Sequence, residues 1–161
     1  MSQKHQLQAE MREGTGTQTA KKLRRQGIVP GVIYGGGQRT YPVQVPQKDI
    51  SELLKNALSE NVLVNLQIEG AREKNKLVLI QAVQHEVLSG NVSHIDFQAV
   101  KEDAEIRAVV PIRLTGEPVG VKQGGLLEHQ VHNTEVRCLP KDLPELLVFD
   151  TTELELGQAL H

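Results

Sequence analysis

Residues 20–37, AKKLRRQGIVPGVIYGGG, predict a change from helix to strand. Four cations surround Leu23, Gly27 interrupts the helical pattern and Pro30 follows shortly after, as is typical of a helix C-terminus. The apolar residues after Gly27 continue to Tyr34 and stop at three consecutive glycines. We therefore expect a short basic helix over residues 18–26, with Thr15, Thr17 or Thr19 as its N-cap, and a strand near residues 30–35.

The rest of the chain predicts a mainly β protein with short helices, of the α+β class. Alternating or apolar stretches predict strands near residues 5–12, 41–45, 61–69, 76–84, 92–99, 106–114, 134–139 and 146–150. Helical spacing predicts a second helix over 47–58, and residues 116–125 read as a glycine-rich loop. The charged segment 101–105 predicts a boundary between a first domain, 1–100, and a smaller β-rich domain, 101–161.

Charge is distributed unevenly along the 161 residues. Residues 1–48 carry eight Lys or Arg against two Glu, a net charge of +6, whereas the whole chain has a net charge of −2. A local basic region of this kind favours a polyanion as partner, although an ordinary solvated surface explains charge alone equally well. A single cysteine, no signal peptide and no long apolar run lead us to expect a cytoplasmic protein that does not contact a membrane.

The basic helix has the residue types that bind phosphates. Thr17, Lys21, Arg24 and Arg25 share one broad helical face, and Leu23 is expected to point toward the core. The chain has only two Tyr and two Phe and no Trp, too few for the aromatic platforms on which single strands stack. This composition favours structured RNA over single strands.

A second polar cluster lies on two neighbouring predicted strands. It includes His85 on the first strand, and His94 and Asp96 on one face of the next. These side chains suggest either a metal or acid–base site, or a hydrogen-bonding role in which Asp96 orients His94. No further ligands appear at metal-site spacing, so we expect hydrogen bonding, no catalytic residue and no metal or other cofactor.

Ordered motifs along nearly the whole chain resemble a bacterial ribosomal protein family, the 5S-rRNA-binding protein number twenty-five of the large subunit. The second half resembles the two-domain form known as the general stress protein Ctc. The motifs are Ala9-Glu10-x-Arg12, Lys21-Lys22-Leu23-Arg24, Val29-Pro30-Gly31-Val32-Ile33-Tyr34-Gly35, Gln81-x-Val83-Gln84, His94-Ile95-Asp96-Phe97, Val110-Pro111-Ile112-Arg113-Leu114-Thr115-Gly116-Glu117, Gly120-Val121-Lys122-Gln123-Gly124-Gly125 and Cys138-Leu139-Pro140.

This resemblance implies an N-terminal β-barrel that binds 5S rRNA, followed by a β-rich second domain. It implies a non-enzymatic ribosomal component in the cytoplasm, with 5S rRNA and neighbouring large-subunit proteins as partners; we expect the free chain to be a monomer. Family members continue beyond residues 157–161, so we also expect a shortened second domain. With Thr17 from the helix face and His85 from the polar cluster, the predicted RNA-binding residues are Arg12, Thr17, Lys21, Lys22, Arg24, Tyr34, Gln81, Gln84, His85, His94 and Asp96.

The chain departs from the family pattern at two positions in the second half of this site. Ala82 stands where relatives tend to have Asp, and His85 where they tend to have Arg. Each lost charge-assisted contact is worth roughly 1.5–3 kcal/mol. The alternative function is therefore a stress-related protein-interaction module on the same scaffold, with weakened RNA binding.

Overall fold

The computed structural model describes residues 5–14, 16–37, 39–57, 59, 61–71 and 74–160. Its strands are β1 (His5–Met11), β2 (Ile28–Gly35), β3 (Tyr41–Pro46), β4 (Leu63–Glu69), β5 (Asn75–His85), β6 (Val92–Ala99), β7 (Ile106–Thr115), β8 (Asn133–Cys138) and β9 (Leu147–Asp150). Its helices are α1 (Thr17–Arg25), α2 (Gln47–Asn56) and α3 (Val119–Lys122), and a 3₁₀ turn covers Pro140–Asp142. Within the described residues, no helix is long and apolar enough to cross a bilayer.

The first six strands form a closed barrel in the order β1-β3-β2-β6-β5-β4. The neighbours β1 and β4 run parallel, as do β2 and β6, and the other four pairs are antiparallel. Alternate residues of each strand point inward and form the barrel core. Nearly all of these buried residues are aliphatic. Phe97 on β6 is fully buried in this core. The predicted mainly β fold with an N-terminal barrel is confirmed.

A three-stranded sheet, in the order β8-β7-β9, follows the barrel. Leu63 and Leu79 of the barrel pack in one apolar cluster with Ile106, Ala108, Val110 and Leu143 of the second part. The first strand of the second part is therefore anchored on the outer surface of β4 and β5. The division of the chain into domains 1–100 and 101–161 stays a prediction.

Two local predictions were wrong. Gly16 is the N-cap of α1, with a φ of 106° and no side-chain capping hydrogen bond, so neither Thr17 nor Thr19 caps the helix; Thr15 lies outside the described residues. The residues 116–125 contain the short helix α3, which follows Pro118 and ends before Gly124. The proline before α3 and the glycine after it favour a single helical turn. A turn this short has no apolar periodicity by which the sequence could have predicted it.

Candidate nucleic-acid interface

The helix α1 is a basic element on the outside of the barrel. Its sequence, TQTAKKLRR, contains no acidic residue. Lys21, Lys22, Arg24 and Arg25 are exposed, while Leu23 is half-buried, as predicted from the helical spacing. Three of these cations lie in the last turn, where they interact favourably with the negative end of the helix dipole. The exposed face is therefore free of carboxylates that would repel a phosphate.

The C-terminal end of α1 is fixed to the barrel by hydrogen bonds. Gly27, with a φ of 73°, turns the chain out of the helix, and its N–H donates to Arg24 O at 3.1 Å. Its carbonyl accepts from the N–H of Gln47 at 2.8 Å, which joins the end of α1 to the start of α2. The Nε–H of Arg24 donates to the carbonyl of Ser93 at 2.9 Å. This last bond connects the basic helix to β6.

His94 and Asp96 lie on the outer face of β6 and contact each other. The Nδ1–H of His94 donates to Oδ1 of Asp96 at 2.9 Å, and their side chains are 25% and 31% exposed. An ionised carboxylate only accepts hydrogen bonds, so this contact keeps the proton on Nδ1 and leaves Nε2 of His94 for a ligand. The predicted orientation of His94 by Asp96 is present in the structure.

The neighbouring strands bring other predicted site residues to the same region. Gln84 on β5 pairs with His94, and Ala82 pairs with Asp96. A register shift between Ile80 and Ala82 makes Gln81 the additional residue of a β-bulge. Such a bulge changes the direction of the strand at this point.

Tyr34 approaches Asp96 from the other side. On β2, Val32 pairs with Asp96 and Tyr34 pairs with Gln98, so Tyr34 lies diagonally from Asp96. Burial, together with the negative charge of Asp96, raises the pKa of Tyr34 above its ordinary value. Tyr34 therefore stays a neutral hydroxyl that can donate or accept a hydrogen bond.

Arg12 lies beyond β3, across the barrel surface. Its backbone N–H donates to Pro42 O at 3.1 Å, and Pro42 pairs with Val32 on β2. The Nε of Arg12 and the Oε1 of Gln81 are buried and have no hydrogen-bond partner among the described residues. Each side chain thus has one buried polar atom whose hydrogen-bonding capacity is unused among the described residues.

Thr17 and His85 lie at the margins of the region. Thr17 is exposed in the first turn of α1, away from the Arg24 contact. His85 lies at the end of β5, and its Nδ1 is 3.2 Å from the carbonyl of Gly90. His85 is therefore already occupied in part by the turn that follows it.

Ser93 is a residue of the site that the sequence did not indicate. Its carbonyl accepts from Arg24, and its hydroxyl donates to Gln84 O at 3.1 Å. Backbone acceptors carry no signature in side-chain patterns. Across the described parts of the chain, no three His, Cys, Asp or Glu side chains come close enough together to hold a metal ion.

Comparison with known proteins identifies the family. The model of the ribosomal L25p family matches residues 7–97, which include α1 and the barrel strands apart from the first two residues of β1 and the last two of β6. The chain belongs to the ribosomal L25p family. The model of the ribosomal protein TL5 C-terminal domain matches residues 105–161. The prediction of a non-enzymatic ribosomal protein, located on the ribosome in the cytoplasm, is confirmed at the level of this family.

Similar proteins occur in several bacteria. A large ribosomal subunit protein bL25 of Akkermansia muciniphila is 40% identical over all of this chain and 78% of its own length. Those of Moorella thermoacetica and Desulforamulus reducens are 40% and 34% identical, each over 96% of this chain, and over 74% and 72% of their own lengths. The similarity thus extends through both the barrel and the second sheet.

Proposed function

We propose that this chain binds 5S rRNA as a structural component of the large ribosomal subunit, through α1 and the outer face of β5 and β6. The observation that carries the proposal is the hydrogen bond from Arg24 to Ser93 O. It joins the cations of α1 to the strand pair with His94 and Asp96, so that phosphate-binding and hydrogen-bonding groups form one continuous surface. Membership of a ribosomal protein family supports an RNA partner.

The residue types suggest a division of roles. Lys21 and Lys22 contact phosphates, which supplies affinity without sequence preference. His94, with its Nδ1–H given to Asp96, presents Nε2 to a base edge or a 2′-hydroxyl. Gln84 and Tyr34 add neutral donors and acceptors on either side. With four aromatic residues in the chain, the proposed target is structured RNA whose grooves display ribose hydroxyls.

The test is a salt titration of 5S rRNA binding, with tRNA as competitor. We expect 5S rRNA to be preferred and its affinity to fall with salt, because phosphate contacts release counterions. K21A/K22A should lower the affinity and reduce the salt slope by about two, one per lost phosphate contact. The control is K55A, because Lys55 is an exposed cation in the last turn of α2. Equal binding of 5S rRNA and tRNA, or an unchanged slope in K21A/K22A, would contradict the proposal.

A further inference from the structure

The hairpin of β5 and β6 extends past the barrel as a two-stranded arm. The paired residues of β4 and β5 end at Leu79, and those of β2 and β6 begin at Ile95. Beyond these limits, Gln84 pairs with His94 and His85 with Val92, so this end of the hairpin is formed by the two strands alone, with Val92 still buried in the barrel core. We call residues 84–94 the β5–β6 arm.

The turn of the arm is ordered by its own hydrogen bonds. The N–H of Glu86 donates to Asn91 O and the N–H of Gly90 donates to Glu86 O, both at 2.8 Å. The Ser89 hydroxyl donates to the Glu86 carboxylate at 2.6 Å, and the Asn91 N–H donates to the Ser89 hydroxyl at 3.3 Å. Gly90 has a φ of 69°, which closes the turn.

This ordered turn exposes two apolar side chains. Val87 and Leu88 are each 98% exposed. Single exposed apolar residues are common on protein surfaces. Here two of them are consecutive, and the hydrogen bonds of the turn hold their backbone away from the barrel, so they stay exposed. The Glu86 side chain is exposed and accepts from the Ser89 hydroxyl, so the tip presents an aliphatic surface next to one exposed carboxylate.

The position of the tip indicates what it contacts. His85 and Gln84 precede it on one strand, Ser93 and His94 follow it on the other, and Arg24 braces the arm through Ser93 O. Gln84 and Val87 are three residues apart along the chain, which corresponds to about 10 Å at roughly 3.3 Å per residue. A molecule bound along α1 and the outer face of β6 therefore continues toward Val87 and Leu88.

We infer that Val87 and Leu88 form an apolar contact with the bound RNA, against a ribose or an unstacked base. This inference rests on the proposed function. Aliphatic side chains are used in this way as wedges and supports against nucleosides, whose faces are apolar while their phosphates are charged. The contact adds affinity that does not depend on counterion release, and it favours RNA whose regular stacking is interrupted.

The experiment compares V87S/L88S with the parent chain in 5S rRNA binding at several salt concentrations. We expect an affinity about tenfold lower from the lost apolar contact, with an unchanged salt slope. The conservative variant V87I/L88M should bind like the parent. L126S is the matched control, because Leu126 is 96% exposed but follows α3 in the second part of the chain. Unchanged urea unfolding of V87S/L88S verifies that the fold is intact.

The outcomes separate the two proposals. If the parent binds 5S rRNA and V87S/L88S binds equally well, the tip contact is refuted while the proposed function stands. If V87S/L88S instead loses a ribosomal protein partner and keeps its RNA affinity, the tip is a protein contact and the inference is overturned. If the parent does not bind 5S rRNA, both proposals fail. A weaker salt dependence of 5S rRNA affinity in V87S/L88S would also contradict the inference, because an apolar contact releases no counterions.

Discussion

Replacing Gly31 by alanine tests whether the close parallel contact of β2 and β6 stabilises the barrel. A Cβ at Gly31 would lie 2.8 Å from the carbonyl oxygen of Ile95 and 3.3 Å from the ring of Phe97. The first is a backbone atom in a barrel ladder, and the second belongs to a fully buried side chain. The Ile95 carbonyl can move only by separating the two strands, and the Phe97 ring can move only by displacing its neighbours in the core. Gly31 has no positive φ, so no backbone strain adds to the steric clash in the folded state.

The expected cost follows from these contacts. Overpacking against fixed groups lowers the free energy of unfolding by about 3 kcal/mol, at the upper end of the usual range. Alanine also reduces the conformational entropy of the unfolded chain, which offsets up to about 1 kcal/mol of this loss. We expect Gly31→Ala to lower the free energy of unfolding by about 2 kcal/mol. With a urea dependence of about 2 kcal/mol per molar, the unfolding midpoint falls by about 1 M.

Urea unfolding followed by circular dichroism measures this change. Gly37→Ala is the matched control, because Gly37 has a φ of 78° and, apart from its chain neighbours, no described residue has an atom within 4 Å of the place that an alanine methyl group would occupy. It should cost only about 1 kcal/mol, from backbone strain. A loss below about 0.5 kcal/mol for Gly31→Ala, or a larger loss for Gly37→Ala than for Gly31→Ala, would show that the contacts at Gly31 do not limit stability.

Three further outcomes are expected. Arg24→Gln loses the hydrogen bond to Ser93 O and should reduce both the RNA affinity and, by about 1 kcal/mol, the free energy of unfolding. Lys21→Gln should reduce the RNA affinity alone. Equal urea unfolding midpoints for the two variants would contradict this expectation. Asp96→Asn should lower the pKa of Tyr34 but leave it above its ordinary value, because burial is the larger cause; ultraviolet titration in a Tyr41→Phe background measures it. Burial and, to a smaller extent, the charge of Asp142 raise the pKa of the Cys138 thiol. Because less thiolate is then present near pH 8, alkylation of Cys138 should be slower in the folded chain than in the urea-unfolded chain.

The sequence predicts the strands and the first two helices because their signals are local. Leu7 and Ala9 alternate with polar residues and are buried on β1, and Gly27 ends α1 as its position after the helical pattern indicates. Both N-terminal helices are found within two residues of their predicted limits where the chain is described. The strand order of the barrel has no such local signal, since pairing depends on which distant segments complete one core.

The candidate site is only partly accessible to sequence reasoning. The spacing of His94 and Asp96 predicts a shared face, and the structure contains their contact. The bond from Arg24 to Ser93 has no such signal, because a carbonyl is present at every residue. Val87 and Leu88 read as an ordinary apolar pair, and only the pairing limits of β4 and β2 reveal that they are at the tip of an arm.

The parallel pairing of β2 with β6 also determines when the interface first exists during synthesis. Gly31 pairs with Ile95, so the surface that includes α1 is incomplete until the sixth strand has been translated. Contacts between such distant segments form slowly, because the intervening chain must be ordered first. A nascent chain that ends before β6 carries the cations of α1 without Ser93, His94 and Asp96. Such a chain can attract RNA by charge, but selective binding must wait for the barrel to close.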